Sequence, residues 1–171
     1  YKQGTNAYAR NADTSGTTTP TANSTYVRDS HLDHIDYGFT DGNAYSVNGG
    51  HAPDQVQFTT GDRCLSGTCD PLNKTNAANW PDVPYDLNCM NGSDCLVVAP
   101  SFWSTVRLTG MTTQQWNGTK YLPVDSWAFT QTLPATGDGT APTLWLSKIS
   151  HTGSDTTAGG SAGTLPGGVV S

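Results

Sequence analysis

The chain has 171 residues, of which 35% are hydrophobic, and a net charge of −6. This length predicts one domain or two small ones. The eight basic residues are scattered singly, so there is no basic stripe of the kind that binds nucleic acid. No apolar run approaches the roughly 18 to 20 residues that cross a bilayer, so no membrane span is expected.

The acidic residues indicate the fold class. All 14 are Asp, which favours turns and caps, whereas Glu, which favours helix interiors, is absent. Thr, Tyr, Trp and Val add a β bias, and 19 Gly and 10 Pro predict much loop around a modest core. We therefore predict an all-β fold, either an antiparallel β-sandwich or a segment of a β-shell, with a long disulfide-stapled loop.

Three segments follow one another along the chain. Residues 1–24 are polar and rich in Thr, Asn, Ala and Gly, which is typical of a linker or a loosely attached edge. Residues 25–153 carry the strand signals and are predicted to form an all-β domain. Residues 154–171 are rich in Gly and Ser and predict a linker to another domain.

The predicted domain begins with two strands. Apolar side chains within residues 25–39 indicate a strand that ends near Tyr37 and Gly38. Residues 55–60 alternate apolar and polar side chains, which predicts a strand with Val56 and Phe58 facing inward.

A long loop follows at residues 61–100 and contains all four cysteines. A loop of this length inside a compact domain needs covalent or metal support. The even, clustered cysteines favour two disulfides in an oxidising compartment, and so a secreted or cell-surface protein. The local pairs Cys64–Cys69 and Cys89–Cys95 are predicted, and a zinc site made of all four thiolates is the alternative.

The remaining strands lie after the loop. Residues 102–111 predict a strand with Val106 and Leu108 on one face, continued by residues 112–116. Residues 116–153 contain two apolar segments joined by the turn-rich LPATGDGTAP, which predicts neighbouring antiparallel strands. The larger groups of the first segment fall on one side of its strand, and we expect Trp103, Trp127 and Trp145 to be core residues.

One candidate metal site lies in the sequence HLDHID. His31 and His34 stand beside Asp33 and Asp36, which are metal-ligating residue types. Residues three apart on a strand point to opposite faces. Solvated strand residues are therefore the favoured interpretation.

Calcium is a second metal alternative. Asp41, Asp138 and Asp155 lie in loops and could supply oxygen ligands, although the acidic loop pattern closed by a Glu is absent. Turn chemistry explains the Asp-Gly pairs without an ion, so no cofactor is predicted.

A candidate ligand site lies in ANWPDVPYD, where Trp80 and Tyr85 stand beside Asp82 and Asp86. Aromatic faces stack on the apolar faces of sugars, and carboxylates accept hydrogen bonds from sugar hydroxyls. This stretch therefore predicts a platform for a polysaccharide. Catalytic residues are not predicted, because nothing selects a glycosidase pair among the 14 Asp and no G-x-S-x-G elbow is present.

The ordered series HLDHIDYG, QVQFTTGDRC, NWPDVPYDLNC, SFWSTVRLTGMTTQ and VDSWAFTQTLPATGDGTAPTLWLSKISHTG resembles a segment of large secreted RHS/YD-repeat proteins of actinobacteria and related bacteria. The resemblance covers residues 25–153, and in those proteins the segment precedes the YD repeats. It implies long β-hairpins that build or lead into a hollow β-shell, as in polymorphic toxins. It implies no catalytic residues, because toxic activity there belongs to a variable C-terminal domain. YD repeats themselves are absent here, so both a shell segment and an independent module stay open.

The leading expectation is a non-catalytic extracellular β module, a scaffold or attachment segment whose partners are other domains of the same polypeptide. The first alternative is a carbohydrate-binding module with the aromatic platform, and the second is a secreted glycoside-active enzyme.

Overall fold

The structure, a computed structural model, describes residues 1–13, 15–16, 18–40, 48–154, 163–164 and 168–169. Over these residues the strands form two sheets with antiparallel pairing, and the chain contains two disulfides. The predicted all-β class is therefore confirmed. Among the same residues, no helix is long and apolar enough to cross a membrane.

The chain divides into two compact units. One unit contains Tyr1–His31, Asp62–Arg107 and Leu133–Leu144, and the other contains Leu32–Gly61, Leu108–Thr132 and Trp145–Ser171. Two small clusters of buried residues belong to the first unit, and each includes disulfide cysteines.

A two-stranded sheet belongs to the first unit. Strand β1 (Lys2–Tyr8) pairs antiparallel with β2 (Ser24–His31). The polar composition of residues 1–24 predicts a linker or loose edge, whereas β1 is firmly attached. The physical reason is Asn6, a buried residue whose side-chain amide donates to Leu87 O at 2.8 Å and accepts from Cys89 N at 2.8 Å. A polar side chain with satisfied hydrogen bonds occupies an interior position that hydropathy does not indicate.

The larger sheet has the order β3-β4-β5-β6-β7-β8, and β9 also pairs with β7. Its strands are β3 (His34–Tyr37), β4 (Asp54–Asp62), β5 (Val106–Trp116), β6 (Tyr121–Thr132), β7 (Trp145–Gly153), β8 (Gly163–Thr164) and β9 (Gly168–Val169). Strands β6 and β7 are the predicted antiparallel neighbours. The strand predicted within residues 25–39 is instead two strands, β2 and β3, which belong to different sheets. Strands β8 and β9 lie in the segment predicted as a linker, most of which is outside the described residues.

The register gives the larger sheet a mainly apolar face. Trp127 lies opposite Met111 on β5 and His151 on β7, and Phe129 lies opposite Ile149. The large groups of β6 therefore share one side, as the alternation predicts.

One expectation about inward residues is wrong, and on β4 the most buried residue is not one of those expected to face inward. Trp145 is 54% exposed rather than in the core, because Ser147 has no cross-strand partner and this bulge places Trp145 on the face opposite Trp127. On β4 the buried residue is Gln55, whereas Val56 and Phe58 are half-buried. The Gln55 amide donates to Asp36 Oδ1 at 2.8 Å and accepts from Gln114 Nε2 at 2.6 Å, so its burial leaves no unpaired group.

Candidate functional site

The four cysteines form the two predicted local disulfides. Cys64 pairs with Cys69, with Cα atoms 5.7 Å apart, and Cys89 pairs with Cys95, with Cα atoms 5.8 Å apart. The zinc alternative is wrong, because every cysteine sulfur is bonded to another. Each disulfide therefore closes a short ring, one near each end of residues 64–95.

Trp80, the centre of the predicted sugar platform, lies in the core of the stapled loop. It is 5% exposed and packs with Cys64 and Val83. Its indole Nε1 donates to Cys69 O at 2.9 Å. Stacking on a sugar requires an open ring face, and the structure does not give Trp80 one.

Asp82 is also an interior residue. Its side chain is 3% exposed and pairs with the Arg63 guanidinium through Oδ2, to which Arg63 Nε donates at 3.0 Å. The same oxygen accepts from Leu144 N at 3.2 Å. Its hydrogen bonds are therefore to this chain, and they hold three stretches of the first unit together.

Tyr85 and Asp86 remain at the surface of a 3-10 segment, Tyr85–Leu87, where Tyr85 is half-buried and Asp86 is exposed. The four predicted ligand-binding residues therefore do not form one aromatic platform. Two lie inside the stapled loop and two lie on its outside. The burial of Trp80 and its hydrogen bond to Cys69 O leave the indole face without access to a ligand.

A groove of about 400 Å³ lies beside the Cys64–Cys69 disulfide. It is lined by Asp62, Cys69, Asp70, Leu72, Trp80 and Thr105. The two carboxylates and the Thr105 hydroxyl give it polar character. Thr105 already accepts from Arg28 Nη2 at 3.3 Å, and Arg28 is buried with its guanidinium 3.9 Å from the centre of the Trp103 ring.

A second groove, of about 360 Å³, belongs to the other unit. It is lined by Tyr37, Asp54, Thr113, Gln114, Gln115 and Val124. Tyr37 on β3 lies directly opposite Asp54 on β4. Gly38 has a φ of 83°, and a Cβ there would be 2.6 Å from the Asp54 carboxylate. A glycine is therefore required on both counts for β3 to end against Asp54.

Three aromatic rings lie together at the end of the β5–β6 hairpin. His51 stacks on Trp116 with ring centroids 3.8 Å apart, and Tyr121 meets Trp116 edge-on at 5.1 Å. The Tyr121 hydroxyl donates to Ala52 O at 3.1 Å. Burial, followed by the negative charges of Asp36 and Asp54, raises the pKa of Tyr121 above its usual value. This cluster joins the hairpin end to the segment before β4.

A histidine and a carboxylate pair on neighbouring strands of the same unit. His151 Nε2 lies 2.7 Å from Asp125 Oδ1, and the imidazole stacks on Trp127 with centroids 4.8 Å apart. A His–Asp pair is the base and orienting half of a hydrolytic triad. The hydroxyl of Thr113 is held instead by the Asp125 backbone, from which it accepts at 3.2 Å, so no nucleophile is positioned by these contacts.

The two histidines of HLDHID lie on different strands. His31 belongs to β2 and His34 to β3, in different sheets. His34 contacts Asp33 at 3.0 Å and Asp36 at 3.5 Å. Across the described ranges, no group of three or more His, Cys, Asp or Glu side chains is placed to hold a metal ion.

Asp138 forms a turn of its own. It accepts from the Thr140 hydroxyl at 2.6 Å and from Thr140 N at 3.0 Å. These bonds, with a weaker one from Thr136, lower the pKa of Asp138 to about 2. The other two calcium candidates, Asp41 and Asp155, lie outside the described residues.

No protein-family model, curated protein or solved structure matches this chain. The described residues define an all-β, disulfide-containing protein, with a surface groove in each of its two units. Its function must therefore be argued from its own residues.

Proposed function

We propose that this chain is a non-catalytic, extracellular β module that supports or attaches other domains of a larger secreted polypeptide of the RHS/YD-repeat kind. The larger sheet is the feature that supports this role. The two disulfides are typical of proteins that fold in an oxidising compartment.

The observation that supports this role most directly is the low burial of three neighbouring strands, β5, β6 and β7. Strands β5, β6 and β7 contain a single buried residue, Gly110. An antiparallel sheet normally packs one face on a core, and the face with Met111, Trp127, Phe129 and Ile149 is only half-buried. Apolar surface gains roughly 25 cal/mol per Å² when it is removed from water. A layer from another domain of the polypeptide would supply that burial.

The lengths of the strands favour the same role. Strand β5 has 11 residues and β6 has 12, whereas typical strands have about 5 or 6. Long β-hairpins that build or lead into a β-shell are the elements that the RHS/YD-repeat resemblance implies.

The stapled loop offers a second attachment surface. Met90, Leu96 and Phe102 are 73%, 75% and 76% exposed, and Val98 is 46% exposed. Single exposed apolar residues are ordinary, but these four fall within residues 90–102, beside the Cys89–Cys95 disulfide. We assign this surface to contact with a domain of the same polypeptide.

Amide hydrogen exchange tests the proposal. The isolated chain and the full-length polypeptide are compared, peptide by peptide, by mass spectrometry. We expect exchange in β5–β7 to slow at least tenfold in the full-length protein, because covering the apolar face stabilises those strands. Equal exchange rates in the two proteins would show that no domain covers the sheet.

A further inference from the structure

A groove lined mainly by polar side chains lies on the larger sheet. Tyr37, Asp54, Gln115 and Val124 come from four strands and line the same depression of about 360 Å³. This volume is near the lower end of the range for small-ligand sites. The groove therefore suits a short segment of a ligand.

Three polar side chains of the groove have no hydrogen-bond partner among the described residues. Within the part of the chain that the structure describes, the Tyr37 hydroxyl, the Asp54 carboxylate and the Gln115 side-chain amide make no hydrogen bond. The phenol both donates and accepts, the amide offers two donors and one acceptor, and the carboxylate only accepts. Together they match a ligand that both donates and accepts through several hydroxyl groups.

The aromatic ring of Tyr37 adds a stacking surface. Tyr37 is 44% exposed, in contrast to the buried Trp80. A ring that is partly open can lie against the C–H face of a sugar, while the polar groups beside it take the hydroxyls. Val124 adds an apolar contact on the far strand.

The charge of the groove selects among sugars. Asp54 is the one ionisable carboxylate among its lining residues, and none of them is basic. The whole chain carries a net charge of −6, which disfavours uronic acids and other anionic ligands. We propose that this groove binds a neutral glycan, with Tyr37 stacking on a sugar ring, the Asp54 carboxylate accepting hydrogen bonds from its hydroxyls, and the Gln115 amide both donating and accepting them.

A glycan array of neutral, amino and uronic-acid oligosaccharides tests the groove, and isothermal titration then measures the affinity of the best neutral oligosaccharide. Tyr37→Leu removes the stacking ring but keeps an apolar side chain. We expect Tyr37→Leu and Asp54→Ala each to weaken binding about tenfold, because each removes roughly one stacking or hydrogen-bonding contribution.

Two further variants test whether binding needs the charge of Asp54 and whether it is specific to the groove. Asp54→Asn keeps an oxygen acceptor and removes the charge, so binding of a neutral glycan should change by no more than about threefold. Trp145→Leu removes an exposed aromatic ring that does not line the groove, and it should leave binding unchanged. If Tyr37→Leu fails to fold, the comparison of Asp54→Ala with Asp54→Asn still tests whether the groove binds a neutral glycan.

Three results would overturn the proposal. They are the absence of binding to every neutral glycan on the array, binding restricted to amino sugars and lost in Asp54→Asn, and equal binding by the wild type and Asp54→Ala. None of these results bears on whether the sheet is covered by another domain, which hydrogen exchange measures separately.

Discussion

Asp82 is the residue through which three separate stretches of the first unit meet. Its Oδ2 accepts from the Arg63 guanidinium and from Leu144 N, while the side chain itself is 3% exposed. Asp82 Oδ1, in contrast, is buried without a hydrogen-bond partner. A residue that the sequence assigns to a sugar site thus has a structural role. Removing one member of a buried ion pair costs more than the pair contributes, because the remaining charge loses its partner.

We therefore expect Asp82→Ala to lower the free energy of unfolding by about 2 to 3 kcal/mol, less than for a fully buried pair because Arg63 is 27% exposed. Urea denaturation followed by tryptophan fluorescence measures it. Asp86→Ala, an exposed neighbour on the same loop, is the matched control and should change stability by no more than about 0.5 kcal/mol. Equal effects of the two substitutions would contradict the role of Asp82.

At the scale of the element, the β5–β6 hairpin is closed by both its turn and its aromatic cluster. Asn117 Oδ1 accepts from Thr119 N and Lys120 N at 3.0 and 2.9 Å, and Gly118 adopts a φ of 95°. Trp116 then lies opposite Tyr121, where His51 stacks on the indole. The turn residues can be recognised in the sequence, but the stacking of His51 on Trp116 depends on tertiary packing that the sequence does not show.

The raised pKa of Tyr121 makes the hairpin end sensitive to alkali. The unfolded state loses this proton near pH 10, before the folded state does, so the stabilisation is complete below about pH 10 and falls as the pH rises further. Tyr121→Phe loses the hydrogen bond to Ala52 and should be about 1 kcal/mol less stable at neutral pH.

Urea midpoints of the wild type and Tyr121→Phe, measured between about pH 8 and 11.5, test this effect. The difference between the two proteins should narrow as the pH rises above 10, because only the wild type loses the contribution of Tyr121. A difference that stays constant over that range would contradict a raised pKa.

At the scale of the whole molecule, the sequence predicted those features that depend on residues close together in the chain. The spacing of Cys64, Cys69, Cys89 and Cys95 predicted the disulfides, and alternation with a turn predicted the pairing of β6 with β7. Strand β1 was missed because a buried, fully bonded Asn6 is indistinguishable in sequence from a solvated one.

The sites depend on long-range register, which the sequence does not display. The groove of Tyr37 and Asp54 exists because β3 and β4 pair in one particular register, across a connection whose geometry no residue pattern specifies. Trp80 was misplaced for a similar reason, since its burial depends on how the stapled loop closes on Cys64 and Val83. The resemblance to RHS/YD-repeat proteins stays a prediction.

Hydroxyl-radical footprinting with mass spectrometry tests most directly whether the sheet is covered by another domain. Met111 and Trp127 lie on the half-buried apolar face, and Trp145 lies on the opposite face as an internal reference. We expect oxidation of Met111 and Trp127 to fall several-fold in the full-length polypeptide relative to the isolated chain, with Trp145 unchanged. Equal oxidation of Met111 and Trp127 in both proteins would contradict the role of this chain as a supporting β module.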